Sequence, residues 1–463
     1  MSTLDPGKLT SVDENGDRIR LIPAEVRGYF HKRRKIVHGI LLFIFLAIPW
    51  TTMNHRQTVL INIPDREFYL FGALFKAHDA PLLFFILAIL GIGLAFITSV
   101  WGRVWCGWAC PQTVFVESVF RQIEQWTEGN YIQRRQLRDA PFDFTKIRKV
   151  SLKWICFILV SLAISHSFMA YFVGAESLIE MMQRNPEDNW TYFLLTVAFT
   201  SVVLFDFVWF REQFCVIMCP YGRIQSLLLD QKSVSVVYDV ARGEPRKGSV
   251  GDKKGDCVSC NRCVQVCPTG IDIRNGLQME CLSCTACIDA CDEIMDKVKK
   301  PRGLIRYQTL DGSKLTWKRP RSIIYIVLLL GLSVTLFYFL RTHSPTDWTV
   351  LRGAGLPYSY IKNEANEEII QNQFKIHISN EGNTSATYEL RLLGAPLGIQ
   401  LMTGENPLTL NAGDNHEWFF FLRLPPTAFK GHDGKIKIKI QIRDLQSDFI
   451  GVREVTIVGP REL

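Results

Sequence analysis

Along most of the chain the hydrophobic positions come in long unbroken runs separated by charged segments, and toward the C-terminus they switch to alternation. Five runs, near 36–53, 80–101, 151–173, 190–210 and 322–341, reach the roughly 20 apolar residues that a helix needs to cross a bilayer. Buried helices of soluble proteins seldom keep such stretches free of charge, so the pattern predicts an α-helical membrane bundle of five transmembrane helices. Past residue 342 the period becomes two. Phe374, Ile376 and Ile378 alternate with polar residues, as do Ile436, Ile438, Ile440 and Ile442, and Trp418 to Leu424 forms another apolar run. About seven such strands, parted by turn clusters at 380–383 and 411–414, predict an all-β, immunoglobulin-like sandwich.

Charge orients the bundle. Arg27 and Lys32 to Lys35 precede the first run, and Arg103, Arg121, Arg134, Arg135, Arg138, Lys146, Arg148 and Lys149 fill the segment between runs two and three. The opposite segments hold few cations: Arg56, Arg66 and Lys76 in one, Arg184 in the other. By the positive-inside rule the N-terminus and residues 211–321 are cytoplasmic and everything after 342 is outside. The net charge of +8 is therefore a topology signal, and no nucleic-acid partner is expected. The first run follows a polar lead of about 35 residues, so it reads as a retained anchor and not a cleaved signal. The predicted domains are a tail 1–35, a four-helix membrane part 36–240, a cytoplasmic insert 241–321, the fifth helix 322–341 and an external domain 342–463.

All 13 cysteines lie between Cys106 and Cys291, and the external domain has none, the reverse of a secreted disulfide scaffold. Cys257, Cys260, Cys263 and Cys267, followed by Pro268, spell C-x2-C-x2-C-x3-C-P; Cys281, Cys284, Cys287 and Cys291 repeat the spacing without the proline. This is the pattern of bacterial two-cluster ferredoxins, in which three close thiolates hold one cube and the fourth reaches its neighbour. Crossed ligation assigns Cys257, Cys260, Cys263 and Cys291 to one [4Fe-4S] cluster and Cys281, Cys284, Cys287 and Cys267 to the other. Paired structural zinc sites are the alternative. Residues 241–256 lack apolar periodicity and read as a solvated linker, while Ser233–Tyr238 and Gly303–Thr309 look like two strands that pair beneath the clusters.

Runs two and four both end in an aromatic, an arginine, two cysteines four residues apart and a proline: Cys106 and Cys110 before Pro111, and Cys215 and Cys219 before Pro220. Duplicated elements in membrane proteins often build a site at the repeat interface. Cysteines at i and i+4 share a helix face, and proline ends the helix at the second. Four such thiols suit Cu(I), zinc or an iron–sulfur cluster, or a disulfide cycle; buried structural cysteines are the alternative. Arg103 and Arg211 are expected to favour the thiolates. His38, His166 and Asp206 read first as helix-contact groups ahead of proton, quinone or haem chemistry, Cys156 as packing, and Met181 and Met182 as interfacial contacts ahead of copper ligands.

The ordered combination of these segments, with Tyr238-Asp239 and Arg242 to Arg246, resembles the cytochrome c oxidase accessory family called CcoG, also FixG or RdxA. That resemblance implies a multi-pass protein of the bacterial inner membrane that reduces Cu(II) to Cu(I) for a cbb3-type oxidase. It further implies Cys106, Cys110, Cys215 and Cys219 as copper-handling thiols, copper as substrate or transient ligand, and a copper-transporting ATPase and copper chaperones as partners. The electron donor, cytoplasmic or a quinol, stays open. Two further readings are a quinol dehydrogenase subunit resembling NapH and NosR and a non-enzymatic copper-binding scaffold. No quinone pocket is visible in the sequence, which favours the reductase.

Overall fold

The computed structural model describes residues 21–53, 56–64, 66–76, 80–246, 255–313, 319–342, 346–362, 367–382, 384–394, 398–429, 433–447 and 449–460. The tail 1–20, the middle of the linker at 247–254 and Asn383 of one turn cluster lie outside them. The chain forms two units, one built on residues up to 53, 57–66 and 79–337, the other on 54–56, 67–78 and 338–463.

In the first unit, among the described residues, four helices are long and apolar enough to cross a membrane: Pro81–Trp101, Phe144–Val173, Pro186–Phe210 and Pro320–Thr342. The third predicted run is longer than read from sequence, because the helix starts at Phe144, inside the basic segment. The first run does form a helix, Tyr29–Ala47, but its first turns are Lys32, Arg33, Arg34 and Lys35, and it tightens into the 3₁₀ turn Ile48–Trp50. That helix starts without a side-chain cap from its own neighbourhood. Its free N–H groups are met instead by Asp289, whose carboxylate accepts from Phe30 N at 3.2 Å and His31 N at 2.7 Å. A carboxylate at a helix N-terminus satisfies both unpaired donors and the helix dipole.

Asp289 belongs to Ala286–Lys297, the long helix of the insert. The two predicted strands pair antiparallel, Val234–Tyr238 with Ile305–Thr309, so the insert begins at 234 and not at 241. Val236, Tyr238 and Ile305 from this ribbon pack with Cys257, Cys263 and Ile288 in one core. The start of the expected linker is also structured. Val240–Gly243 is a helical turn capped by Asp239, and Arg242 Nε pairs with Asp256 Oδ2 at 2.6 Å.

The second unit is a two-sheet sandwich. One sheet runs in the order Gln400–Thr403, Asn415–Leu424, Glu368–Asn380, Thr346–Arg352, with Ser359–Lys362 also on Glu368–Asn380. The other runs Leu408–Leu410, Ala386–Leu393, Lys435–Asp444, Ile450–Val458. Among the described residues the two sheets hold nine strands where about seven were expected, since Ser359–Lys362 and Leu408–Leu410 are too short to show periodicity. The alternating residues do face inward: Phe374, Ile376, Ile440, Phe420 and Leu422 share the core. The hairpin Glu67–Leu70 with Ala73–Phe75 belongs to this unit, tied by Lys76 Nζ to Ser379 Oγ at 2.7 Å.

Candidate functional site: a cysteine cluster at the membrane edge beneath a ferredoxin insert

The two Cys-x3-Cys-Pro elements are built alike. The helix Ala80–Trp101 ends where Gly102 takes φ +58, and the second copy bends at Arg211, φ 50, each four residues before the first cysteine. Glycine adopts this left-handed backbone freely; arginine does so only when its surroundings hold it. Glu124 supplies that hold, ion-paired with the Arg211 guanidinium, while Arg211 Nε donates to Val208 O at 3.0 Å. Proline acts as expected in both copies: Cys110 (ψ 126) and Cys219 (ψ 112) are extended, and Pro111 and Pro220 open the next helices.

The copies interlock. Gln112 Nε2 donates to Asp206 Oδ1 and to Arg211 O, both at 3.0 Å, and Arg103 donates to Gly222 O at 2.7 Å. Gln225 Nε2 meets Cys106 Sγ at 3.4 Å. The four thiols lie close enough to act on one another electrostatically: Cys215 feels burial first, then Cys110 and Cys106. The expectation that arginines would make them thiolates is not met. Burial pushes Cys106 up to about 11, and Arg103 opposes this only weakly. Arg211 is spent on Glu124. Burial likewise raises Cys110 and Cys215, so a soft metal ion would have to displace protons from these three thiols.

In the insert, the two cysteine motifs repeat a backbone device that no residue pattern announced. Ser259 and Asn261 flank Cys260 with φ 58 and 54, and Ser283 and Thr285 flank Cys284 with φ 51 and 64. Left-handed residues at alternate positions curl the chain so that successive N–H groups face one concavity, the nest that anionic iron–sulfur groups occupy. A β-branched threonine there is an outlier, the kind of strain found at functional sites. Two separate cavities result. One is lined by Cys257, Cys260, Cys263 and Cys291, the other by Cys267, Cys281, Cys284 and Cys287, with Cys263 at its edge. Among the described residues no three His, Cys, Asp or Glu groups converge on a single ion position. Thiols ranged round a cavity suit the corners of a four-iron cube; a zinc ion needs sulfurs converging at about 2.3 Å. The same observation means that the four membrane-edge thiols are not preset around one copper ion.

The insert grips the first Cys-Pro element directly. Arg103 donates to Met279 O and, at 3.4 Å, to Cys281 O. Trp108 Nε1 donates to Tyr307 Oη at 3.1 Å, and Tyr307 Oη donates to Ser283 O at 3.2 Å. Gly107 lies so close to the loop that a Cβ would meet Leu282 O and Ser283 O at 2.7 Å. Cys215 and Cys284 line one small cavity together with Pro268 and Leu282. Arg34 donates to Cys284 O at 2.6 Å from the other side.

The remaining polar groups have protein neighbours, although His38 Nε2 is buried without a hydrogen-bond partner among the described residues. His38 Nδ1 meets Ser118 Oγ at 2.7 Å, His166 Nδ1 meets Leu162 O at 2.8 Å, and Asp206 receives Gln112. Cys156 packs beside Phe157 in the bundle core, and Met182 is exposed. Gln112, Glu124, Gln225, Asp289 and Tyr307 were missed from sequence. Each acts on residues far away in the chain, although Glu124 and Glu128 inside a basic segment were a usable signal.

Comparison with known proteins agrees with this geometry. The family profile described as a 4Fe-4S dicluster domain matches residues 210–310, a 4Fe-4S binding domain matches 82–130, and the IG-like fold at the C-terminal of FixG matches 336–460. The chain therefore carries two [4Fe-4S] clusters. It is 34% identical to protein RdxB of Cereibacter sphaeroides over 82% of this chain and 83% of that protein. To RdxA of the same organism it is 35% identical, over 72% and 74%. The nitrogen fixation protein FixG of Rhizobium meliloti is 34% identical over 66% of this chain and 62% of its own length. With iron–sulfur motifs, apolar helices and a terminal sandwich in the same order, the chain belongs to the FixG/RdxA family, also called CcoG.

Proposed function

We propose that this membrane-bound iron–sulfur electron-transfer protein is a cupric reductase, passing electrons from the insert to Cu(II) at the membrane-edge thiols Cys106, Cys110, Cys215 and Cys219. The observation that carries the reading is the cavity shared by Cys215 and Cys284, which joins a cluster-binding loop to the duplicated element. In this reading Cys257, Cys260, Cys263 and Cys291 hold one cluster and Cys267, Cys281, Cys284 and Cys287 the other. The clusters, when bound, supply electrons one at a time. The four cysteines are half-buried, Gln225 orients Cys106, and loss of the thiol protons lets soft sulfur favour Cu(I) over Cu(II). Delivery of that copper to a cbb3-type oxidase, through a copper-transporting ATPase and chaperones, belongs to the same proposal.

Five crossings of a bacterial inner membrane, with the insert cytoplasmic and the sandwich periplasmic, belong to the same proposal, and a parity argument supports the odd number. Ala24 N bonds to Gln265 O at 2.8 Å, so residues near 24 share a side with the insert. Arg56 bonds to Ala412 O at 2.7 Å, so residues near 56 share a side with the sandwich. If the helix Pro320–Thr342 crosses between insert and sandwich, the chain between 24 and 56 would cross as well.

The test uses anaerobically purified protein, reduced with dithionite and desalted, mixed with Cu(II) and a Cu(I)-specific chelator. One Cu(I) per electron stored is expected. Cys215→Ala with Cys219→Ala should keep the iron and the visible absorption band and lose the copper reaction; unchanged copper reduction in that variant overturns the proposal.

A further inference from the structure

Polar and apolar residues around the basic, N-terminal end of the helix Phe144–Val173 outline a cavity of about 440 Å³ that the reductase reading does not use. Its outer wall is apolar: Leu137, Phe142, Ile147, Val150 and Trp154. Phe142, Ile147 and Trp154 are 90%, 54% and 45% exposed, so the mouth is greasy where a membrane helix begins. Lys146, Arg148 and Lys149 mark the headgroup level there. Its floor is ionic and buried. Glu124 pairs with Arg211 and Arg134, and Lys153 Nζ sits 2.5 Å from Glu128 Oε1. Arg134 is 4% exposed, and its Nε has no hydrogen-bond partner among the described residues.

From this geometry we infer that the cavity binds the ring of a membrane quinol and passes its electrons to the clusters of the insert. Three observations select that ligand. The cavity has the size and apolar mouth of a small-molecule site opening to lipid. Its buried cations are matched by carboxylates, Arg211 and Arg134 by Glu124 and Lys153 by Glu128, with Glu25 also 3.6 Å from Arg134, and Lys146 is turned to the Arg138 and Ala140 carbonyls, so the buried end suits a neutral headgroup better than a phosphate. The third is redox proximity. The wall Leu21–Pro23 lines this cavity on one face and, on the other, a cleft that includes Cys267. Ala24 N then bonds to Gln265 O at 2.8 Å, between Cys263 and Cys267. One short segment of chain thus stands between the quinol site and a cluster loop.

The step balances as one quinol plus two oxidised [4Fe-4S] clusters giving one quinone, two singly reduced clusters and two protons. Arg134 Nε donates to a ring oxygen, and the Glu128 carboxylate, held by Lys153, receives a hydroxyl proton. The inference rests on the electron-transfer reading but not on copper being the acceptor.

The test uses the full-length protein with both clusters, in nanodiscs of neutral phospholipid, with decylubiquinol and decylubiquinone as probes. Reduction of oxidised clusters by the quinol, or re-oxidation of dithionite-reduced clusters by the quinone, should saturate with probe concentration. Val150→Trp, which fills the cavity from its lipid side, should slow that exchange at least tenfold while iron content and the dithionite-reduced EPR spectrum stay as in the parent. Exchange that is absent in both directions, or equally fast in the variant, overturns the inference. So does loss in Val150→Trp of a co-purified anionic phospholipid without any change in quinone exchange, which would make the cavity a lipid headgroup site. Failure of the copper assay with quinone exchange intact would strike the reductase reading alone.

Discussion

A single methyl group added at Gly107 should loosen the insert from the membrane-edge cysteines without touching a ligand. A Cβ there would stand 2.7 Å from Leu282 O and Ser283 O, against 3.4 Å for ordinary contact, and both neighbours are backbone atoms that cannot rotate away. The loop would have to retreat by about 0.7 Å. Overpacking of this kind costs about 1–3 kcal/mol, enough to move the ratio of docked to undocked loop by a factor of about 5–150. Iron content and the dithionite-reduced EPR spectrum of Gly107→Ala should match the parent. Re-oxidation of its reduced clusters by Cu(II), followed by stopped-flow absorbance, should slow in proportion to the undocked fraction. Gly93→Ala is the control, because nothing lies within 4 Å of its Cβ. It should leave the rate unchanged. If Gly107→Ala transfers electrons as fast as Gly93→Ala, the contact between the 281–284 loop and the first Cys-Pro element is not the electron route.

Glu124→Gln should destabilise the first unit by about 3–5 kcal/mol in denaturant titrations at pH 7, because it leaves the buried Arg211 and Arg134 short of a counter-charge. Three arginines hold the Glu124 carboxyl down at about 2 against a usual 4.5, so its contribution, about 3 kcal/mol, is whole above pH about 4.5 and is lost as pH falls through about 2. The stability gap between parent and variant should therefore close in acid; a gap that is flat with pH refutes the ion-pair account. Tyr307→Phe removes the bridge from Trp108 to Ser283 O and should cost about 1–3 kcal/mol, read as faster loss of iron to a chelator. In the sandwich, Ile440→Ala at a fully buried position should cost about 2–5 kcal/mol in thermal or denaturant unfolding of the second unit, with cluster spectra unchanged.

What was readable from sequence was what is local. Cysteine spacing within each motif is local, so it names the cysteines that line the two cavities before any fold is known. Period two announces Ile436 to Ile442, and proline after cysteine announces the extended Cys110 and Cys219. What was not readable depends on partners distant in the chain. Asp289 caps a helix some 258 residues earlier, and Glu124 clamps Arg211 from 87 residues away. The thiolate expectation failed for the same reason. Arg103 is near Cys106 in sequence, but its guanidinium reaches Met279, Cys281 and Gly222 carbonyls while burial governs the thiol. The sequence also hid the cavity beneath Trp154, because its walls come from three separated segments.

Asp289 at the start of the first helix has a consequence for biogenesis. Residues 29–47 leave the ribosome long before residue 289 exists, so the leading amides of this helix stay open to water until the helix Ala286–Lys297 is translated and seated against them. Folding of the insert and final seating of the first helix are then linked steps, and a chain that ends before residue 289 would leave that helix without its cap.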